Sequence, residues 1–461
     1  MAKDTQVAVV IVPFLAQGHL APLLHLSRLI SSYNIPVHYV STTTHIRQAS
    51  SRQEGWDLLA YENIHVHEFQ IPAFECPSPN PDPQNKFPSQ FQPAFEATVH
   101  LREPVCRLLT SLSATSRRLV IIHDYLTASV VQDFASLPNA ETYIFQNTSS
   151  FFSFTFCWES AGKPFATDDH ILQQLPSMEG CWTSELMAFA EKQVIHSKNS
   201  SGELYNTSKA IEGQYFDLLQ KFHVDKKHWA IGPFNPVDVL QKPEQQRHKC
   251  LDWLDNQASN SVIYIAFGTT TSLTDEQILA IAIGLENSGQ KFIWVLRDAD
   301  KVDIFTGDVR KTELPMRFEE RILENGQGMI VRGWAPQLEI LAHTSTGGFM
   351  SHCGWNSLLE SMTMGVPIAA WPRHSDMPRN TVLITKLLKL GIVVKDWTPG
   401  NELVESLHIE IAVKKLIASK EGDEMRKRAT ELRNDINKSV EEGGASRLEL
   451  DSFINHITRS S

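Results

Sequence analysis

Twice along this chain, short runs rich in β-branched and aromatic residues alternate with stretches of helical periodicity. Residues 7–13, 36–41, 64–69, 119–123 and 142–145 read as strands separated by helices. The pattern then restarts, with strands at 262–267, 292–296, 329–332, 348–350 and 366–370 and helices from about Thr274 and from Trp355. Strands that alternate with helices pair in parallel, because each crossover helix returns the chain to the same end of the sheet. Two α/β units, each built on a parallel doubly wound sheet, are therefore expected. A length of 461 residues also suits two domains of about 200 residues better than one. Open sheets of this kind bind ligands outside the carboxyl ends of their strands, so a site should lie in a cleft between the units.

The composition shifts at Gly232-Pro233-Phe234-Asn235-Pro236 and through the polar tract 241–249 in the manner of an interdomain linker. The expected division is 1–240, 241–445, and a terminal helix over 446–461 that packs back on the first domain. Segment 421–442 reads as a charged, solvated helix and 448–457 as an amphipathic cap. Residues 71–93 carry seven prolines, too many for a helix, and read as an irregular surface excursion.

Charge and motif content narrow the function. With 42 basic against 53 acidic residues, a net charge of −11 and no Lys/Arg block, a nucleic-acid partner is disfavoured. Six dispersed cysteines without a C-x-x-C pair indicate neither a zinc site nor a disulfide framework, and fit a reducing cytoplasm. The apolar run 7–16 is interrupted by Pro13 and is too short to cross a bilayer, so no membrane insertion is expected. Sequons at Asn147, Asn199, Asn206 and Asn437 then carry no meaning, because glycosylation requires a secretory route. The P-loop, dinucleotide and G-x-S-x-G fingerprints are absent, which weighs against kinase, oxidoreductase and serine-hydrolase readings.

The segment from Trp334 to Met377 has the parts of a nucleotide-sugar clamp. Trp334-Ala335-Pro336-Gln337 follows a strand, so its indole should sit at the strand's carboxyl edge, able to stack on a base or to serve as core. His352-Cys353-Gly354-Trp355-Asn356-Ser357 runs from a strand through a glycine turn into a helix. Free N–H groups and the positive dipole end at such a helix start make a pyrophosphate site. His352, Asn356 and Ser357 can add side-chain hydrogen bonds there, although Asn and Ser also serve as helix caps. Glu360 lies one helical turn beyond Asn356 and can accept from a ribose diol, or be merely exposed. Thr269 to Ser272 form a hydroxyl-rich turn that fits phosphate contact and ordinary turn chemistry equally well.

His19 follows the first strand at the mouth of the first helix, within Gly18-His19-Leu20-Ala21-Pro22. Imidazole titrates near neutral pH, and a placed general base is worth on the order of 100 to 10,000-fold in rate. Asp124, after the fourth strand, is the carboxylate that could orient it. Capping by His19 and turn formation by Asp124 fit the spacing as well as catalysis does. His65 and His67 share one strand face but lack the acidic or Cys neighbours of a metal site, and no metal is expected.

The region from Trp334 to Met377 resembles the plant secondary-product glycosyltransferase box of the family 1 UDP-glycosyltransferases. The resemblance implies a GT-B fold, two Rossmann-like domains facing across a cleft, and an inverting, metal-free enzyme with no tightly bound cofactor that takes a UDP-sugar as donor substrate. It implies that Trp334 stacks the uracil with Ala335 beside it, and that Gln337 and Glu360 hold the ribose. His352, Asn356 and Ser357 would hold the phosphates, Trp355 and Asp376 would contact the sugar, and Gly18, Thr269, Gly354 and Met377 would complete the donor-binding set. The Gly18-His19 step and Asp124 match the family's His/Asp dyad, a feature that a non-catalytic UDP-sugar-binding module could discard. One departure is Met377, where the family usually has Gln; its thioether bonds poorly to hydroxyls, so UDP-xylose stands beside UDP-glucose as donor.

Leu23-Leu24-His25-Leu26-Ser27-Arg28-Leu29-Ile30, Asn34-Ile35-Pro36-Val37-His38-Tyr39-Val40, Thr44-His45-Ile46-Arg47-Gln48-Ala49 and His100-Leu101-Arg102-Glu103-Pro104-Val105 are similar to the zeatin O-glucosyltransferases. That similarity implies a small-molecule acceptor, a cytokinin hydroxyl, with flavonoid or phenolic O- or C-transfer as the alternative. A cytoplasmic monomer is expected. The acceptor pocket should draw on the aromatic-rich segments 87–95, 145–158 and 178–189.

Overall fold

A computed structural model describes residues 7–52, 62–81, 87–164, 170–236, 247–301, 303–305, 310, 312–397 and 402–460. It holds two all-parallel sheets. The first contains β1 (Val7–Val12), β2 (Val37–Thr42), β3 (Ile64–Phe69), β4 (Arg118–Asp124), β5 (Ala140–Gln146), β6 (Gly202–Tyr205) and β7 (Lys227–Ala230) in the order β3-β2-β1-β4-β5-β6-β7. The second contains β8 (Val262–Ala266), β9 (Lys291–Val295), β10 (Gly328–Val331), β11 (Thr346–Ser351), β12 (Ile368–Ala370) and β13 (Gly391–Val393) in the order β10-β9-β8-β11-β12-β13. β1, β4, β8 and β11 are buried on both faces, and in β1, β4 and β8 the apolar residues accordingly run consecutively rather than alternating.

Strand order reverses between β1 and β4 in the first sheet and between β8 and β11 in the second. At such a switch point the flanking helices leave on opposite faces and open a crevice at the carboxyl edge. The carboxyl ends of these four strands and the connections leaving them carry His19, Asp124, Thr269 and the 352–357 turn, so topology alone brings them to the two crevices.

Three short strands escape the sequence pattern: β6, β7 and β13 have four, four and three residues. Asp124 is the last residue of β4 rather than the residue after it. The prolyl excursion is irregular over 71–80 but ends in a helix, Gln92–Ala97, with Pro93 in its first turn where a missing N–H costs nothing. Phe87, Phe91 and Phe95 there are buried, so this end of the segment is interior rather than surface.

The charged segment forms the helix Lys420–Val440. The last helix, Ala445–Thr458, lays Leu450, Phe453, Ile454 and Ile457 into the core of the first sheet. Its Phe453 ring meets Tyr143 and Trp229 edge-on, with centroids 5.2 and 5.3 Å apart. Most of the linker tract lies outside the described residues.

Candidate active site

His19 stands in the first turn of the helix Gln17–Ser31. Its Nδ1 lies 2.7 Å from Asp124 Oδ2, and the carboxylate is wholly buried while the imidazole keeps 19% of its surface. Leu126 N–H donates to Asp124 Oδ1 at 2.9 Å, which fixes the carboxylate's plane. An Nδ1–H donated to a carboxylate leaves Nε2 as the ring's basic nitrogen. Phe14 packs edge-on against the imidazole at 5.3 Å.

A cleft of ≈ 340 Å³ is lined from both sheets. Gly18, His19, Thr269, Trp334, Ala335, Gln337, His352, Gly354, Trp355, Asn356, Ser357, Glu360, Asp376 and Met377 all border it, and Asp124 sits behind His19. The helix Trp355–Met364 starts at Gly354 without a side-chain cap, so its first N–H groups remain open to an anion. Cys353 just before it, and Ser375 on the neighbouring loop, hold left-handed φ values of 67° and 55°, a strain that non-glycine residues carry mainly at functional sites.

His352 is wedged between two glycines: a Cβ at Gly268 or at Gly354 would come 2.5 Å from its Nε2. Burial, and then Arg373, pulls its imidazole down to about 4, so at neutral pH the ring is uncharged. Gln337 donates to Glu360 at 2.6 Å and to Ser357 Oγ at 3.0 Å, and accepts from Tyr264 OH at 3.3 Å. Burial pushes the Glu360 carboxyl up to about 7 despite the Gln337 bond. Asp376 is likewise pushed up to about 6 by burial, against the opposing pull of the Asn380 amide at 2.8 Å and of His19.

Two nominated side chains have other engagements. Trp355 is buried and donates its indole N–H to Asn206 O of the first sheet's side at 2.9 Å. Met377 packs in the apolar cluster with Leu383 and Phe151 while bordering the cleft. Trp334 is 38% exposed, with the Arg52 guanidinium 4.4 Å from its ring centroid.

Local pattern concealed several residues of the site. Arg52, at the end of the helix Thr43–Ser51, forms a buried bidentate pair with Asp300 at 2.6 and 3.1 Å, joined by Arg297. Asn147 and Asn356 both donate to Gly18 O, at 2.7 and 2.6 Å. His374 bonds Thr270 Oγ1 at 3.1 Å. Apart from Arg297–Asp300, each pairing spans 104 residues or more, so no motif spacing signals it.

Phe14, Phe87, Phe91 and Phe95 form an aromatic wall with Trp182 and Phe189 near His19. Of the segment 145–158, Phe145, Phe151, Phe154 and Trp158 are buried core, leaving Phe152 and Phe156 against Trp182. Among the described residues no group of three or more His, Cys, Asp or Glu could hold a metal. His65 and His67 instead meet His38, whose Nδ1 is 2.8 Å from His67 Nε2. No described helix is long and apolar enough to cross a membrane.

Residues 5–236 match the family model for the glycosyltransferase N-terminal domain, and residues 234–430 that for UDP-glucoronosyl and UDP-glucosyl transferases. The chain is 55% identical over 458 residues to the zeatin O-glucosyltransferase of Phaseolus lunatus, covering 99% of this chain and 98% of that one. It is 52% identical to the zeatin O-xylosyltransferase of Phaseolus vulgaris, covering 99% of each. The structure of Medicago truncatula UGT71G1 complexed with UDP-glucose superposes with a TM-score of 0.78 at 25% identity, covering 99% of both chains. Parallel twin sheets, a switch-point cleft between them and whole-length identity to these enzymes place the chain in the plant family 1 UDP-glycosyltransferases, with the GT-B fold.

Proposed function

We propose that this enzyme transfers glucose or xylose from a UDP-sugar to the side-chain hydroxyl of a zeatin-type cytokinin, with His19 as general base and Asp124 as its partner. The observation that carries the chemistry is the 2.7 Å His19–Asp124 pair bordering the same cleft as the helix start at Gly354. His19 Nε2 takes the proton of the acceptor hydroxyl, and the buried Asp124 stabilises the imidazolium that results. The freed oxygen attacks the anomeric carbon opposite the departing UDP, which inverts that centre. Negative charge growing on the diphosphate is met by the open N–H groups of the helix start and by neutral His352.

Trp334 stacks the uracil, Ala335 flanks it, and Gln337 with Glu360 receives the ribose. Thr269, Asn356 and Ser357 border the phosphates, and Asp376 accepts from sugar hydroxyls. The acceptor class rests on the 55% and 52% identities to zeatin O-glucosyl- and O-xylosyltransferases, and the aromatic wall beside His19 suits a planar purine. The domains divide near residue 240, the last helix belongs to the first unit, and the enzyme works as a cytoplasmic monomer.

A mass-spectrometric screen crossing zeatin isomers and flavonoids with UDP-glucose, UDP-xylose and UDP-galactose tests this reading. O-glycosylated zeatin as the fastest product supports it; a flavonoid product formed faster refutes the acceptor. His19→Ala should abolish transfer and leave UDP affinity within about twofold, because the base acts on the acceptor. Near-normal turnover in that variant would refute the base assignment.

A further inference from the structure

Pro22 lies inside the helix Gln17–Ser31, four residues after Gly18. An α-helical carbonyl accepts from the N–H four positions on, and proline has none. The carbonyl immediately before His19 is therefore excluded from the helix's own ladder, and the pyrrolidine ring crowds it outward. At the partly buried cleft edge, a carbonyl left in that state is stabilised by a partner. Two side-chain amides supply it: Asn147, which follows β5 in the first unit, donates at 2.7 Å, and Asn356, from the helix Trp355–Met364 of the second, donates at 2.6 Å. Both lone pairs of one oxygen are thereby used, one by each half of the molecule. Neither asparagine's own Oδ1 has a partner among the described residues, so the amides are oriented by Gly18 rather than by a wider network.

We propose that the orphan Gly18 carbonyl, created by Pro22 and held by Asn147 and Asn356, is the device that positions the His19 imidazole across the cleft, with Asn147 and Pro22 as positioning residues. The proposal rests on the reading of His19 as base. Without the clamp the first helical turn can rotate, and a displacement of about 1 Å at a reacting group can cost on the order of 100-fold in rate. Asn356 also borders the cleft at the helix start, so seating the second unit against the donor and setting the base become one event.

Pro22→Ala separates this role from ordinary scaffolding, because alanine returns the missing N–H and lets Gly18 rejoin its helix. An interior Pro→Ala change favours the helix itself, so a purely structural Pro22 would leave turnover intact. Pro22→Ala, Asn147→Ala and the double variant are compared using UDP-glucose and the acceptor returned by the product screen. The kcat per UDP-binding site, counted calorimetrically, should fall at least about tenfold in each single variant, with KM for UDP-glucose within about twofold. The double variant should be no slower than the slower single one, since both remove the same contact. Turnover of Pro22→Ala within twofold of wild type, or multiplicative losses in the double variant, overturns the clamp. If His19→Ala keeps its turnover, the base assignment has failed instead. If His19→Ala is inactive while Pro22→Ala is as fast as wild type, the base stands and only the clamp falls.

Discussion

Replacing Glu360 by Gln should make the empty enzyme more stable and the loaded one weaker. Burial lifts the Glu360 carboxyl from 4.5 to about 7, and at about 1.4 kcal/mol per tenfold the ionised form costs on the order of 3 kcal/mol in the unliganded cleft. The folded value lies above the unfolded one, so the native state holds this proton more tightly. The stability that results is complete below pH 4.5 and is lost as the pH rises through 7. Glutamine keeps the shape and can still accept from Gln337, but it never ionises. Glu360→Gln should therefore match wild type near pH 4.5 and exceed it at pH 8 by up to about 3 kcal/mol.

Binding should move the opposite way. A carboxylate accepting from both ribose hydroxyls makes charge-assisted bonds of roughly 1.5–3 kcal/mol each, more than the desolvation already spent, so the variant should bind UDP-glucose about 10- to 100-fold more weakly at pH 8. Wild-type affinity should weaken as the pH falls below 7, where the carboxyl takes up its proton, while Glu360→Gln stays flat. UDP-glucose is the probe of choice because its diphosphate diester lacks the phosphate proton that titrates near pH 6. Chemical unfolding and calorimetric titration at pH 5, 6, 7 and 8 read both quantities. Equal stability of the two proteins at pH 8, or parallel affinity slopes against pH, would refute a ribose-binding Glu360 held in a desolvated state.

Met377→Gln should raise use of UDP-glucose relative to UDP-xylose if this position reads the donor, and unchanged ratios of kcat/KM in competition assays would discard that role. Asp300→Asn leaves Arg52 buried without its carboxylate and should destabilise the protein by about 3–5 kcal/mol; calorimetric melting unchanged to within a degree would contradict the buried pairing. His38 is pulled down to about 4 by burial and by His67 and His65. Its folded value lies below 6.5, so it adds stability above pH 6.5 that is lost as the pH falls toward 4. His38→Phe should accordingly shift the acid-unfolding midpoint downward, and an unmoved midpoint would show that this cluster stays solvated.

Legibility varied with how local each signal was. The seven-residue β4 and the six-residue β1 show a buried-strand composition, whereas the four-residue β6 and three-residue β13 carry no apolar run of that length. The clamp segment was readable because its turn, helix start and Glu360 lie within one stretch of chain. Arg52 over Trp334 was not, since an arginine ending one helix and a tryptophan 282 positions later share no period. The aromatics of 145–158 could be read as pocket or core, and packing sent Phe151, Phe154 and Trp158 to the core.

By itself, the order of residues determined the alternation of strand and helix, the parallel pairing that follows from it, the open helix start after Gly354 and the carbonyl that Pro22 sets free. These depend on covalent structure and on neighbours within a few residues. Tertiary structure alone decided that Asp124 meets His19 across 105 residues, that Asn147 and Asn356 converge on one oxygen, and that Glu360 and His352 lose enough water to change their protonation. Distance and desolvation belong to the packed chain, because each is set by whichever remote segments displace solvent around a group.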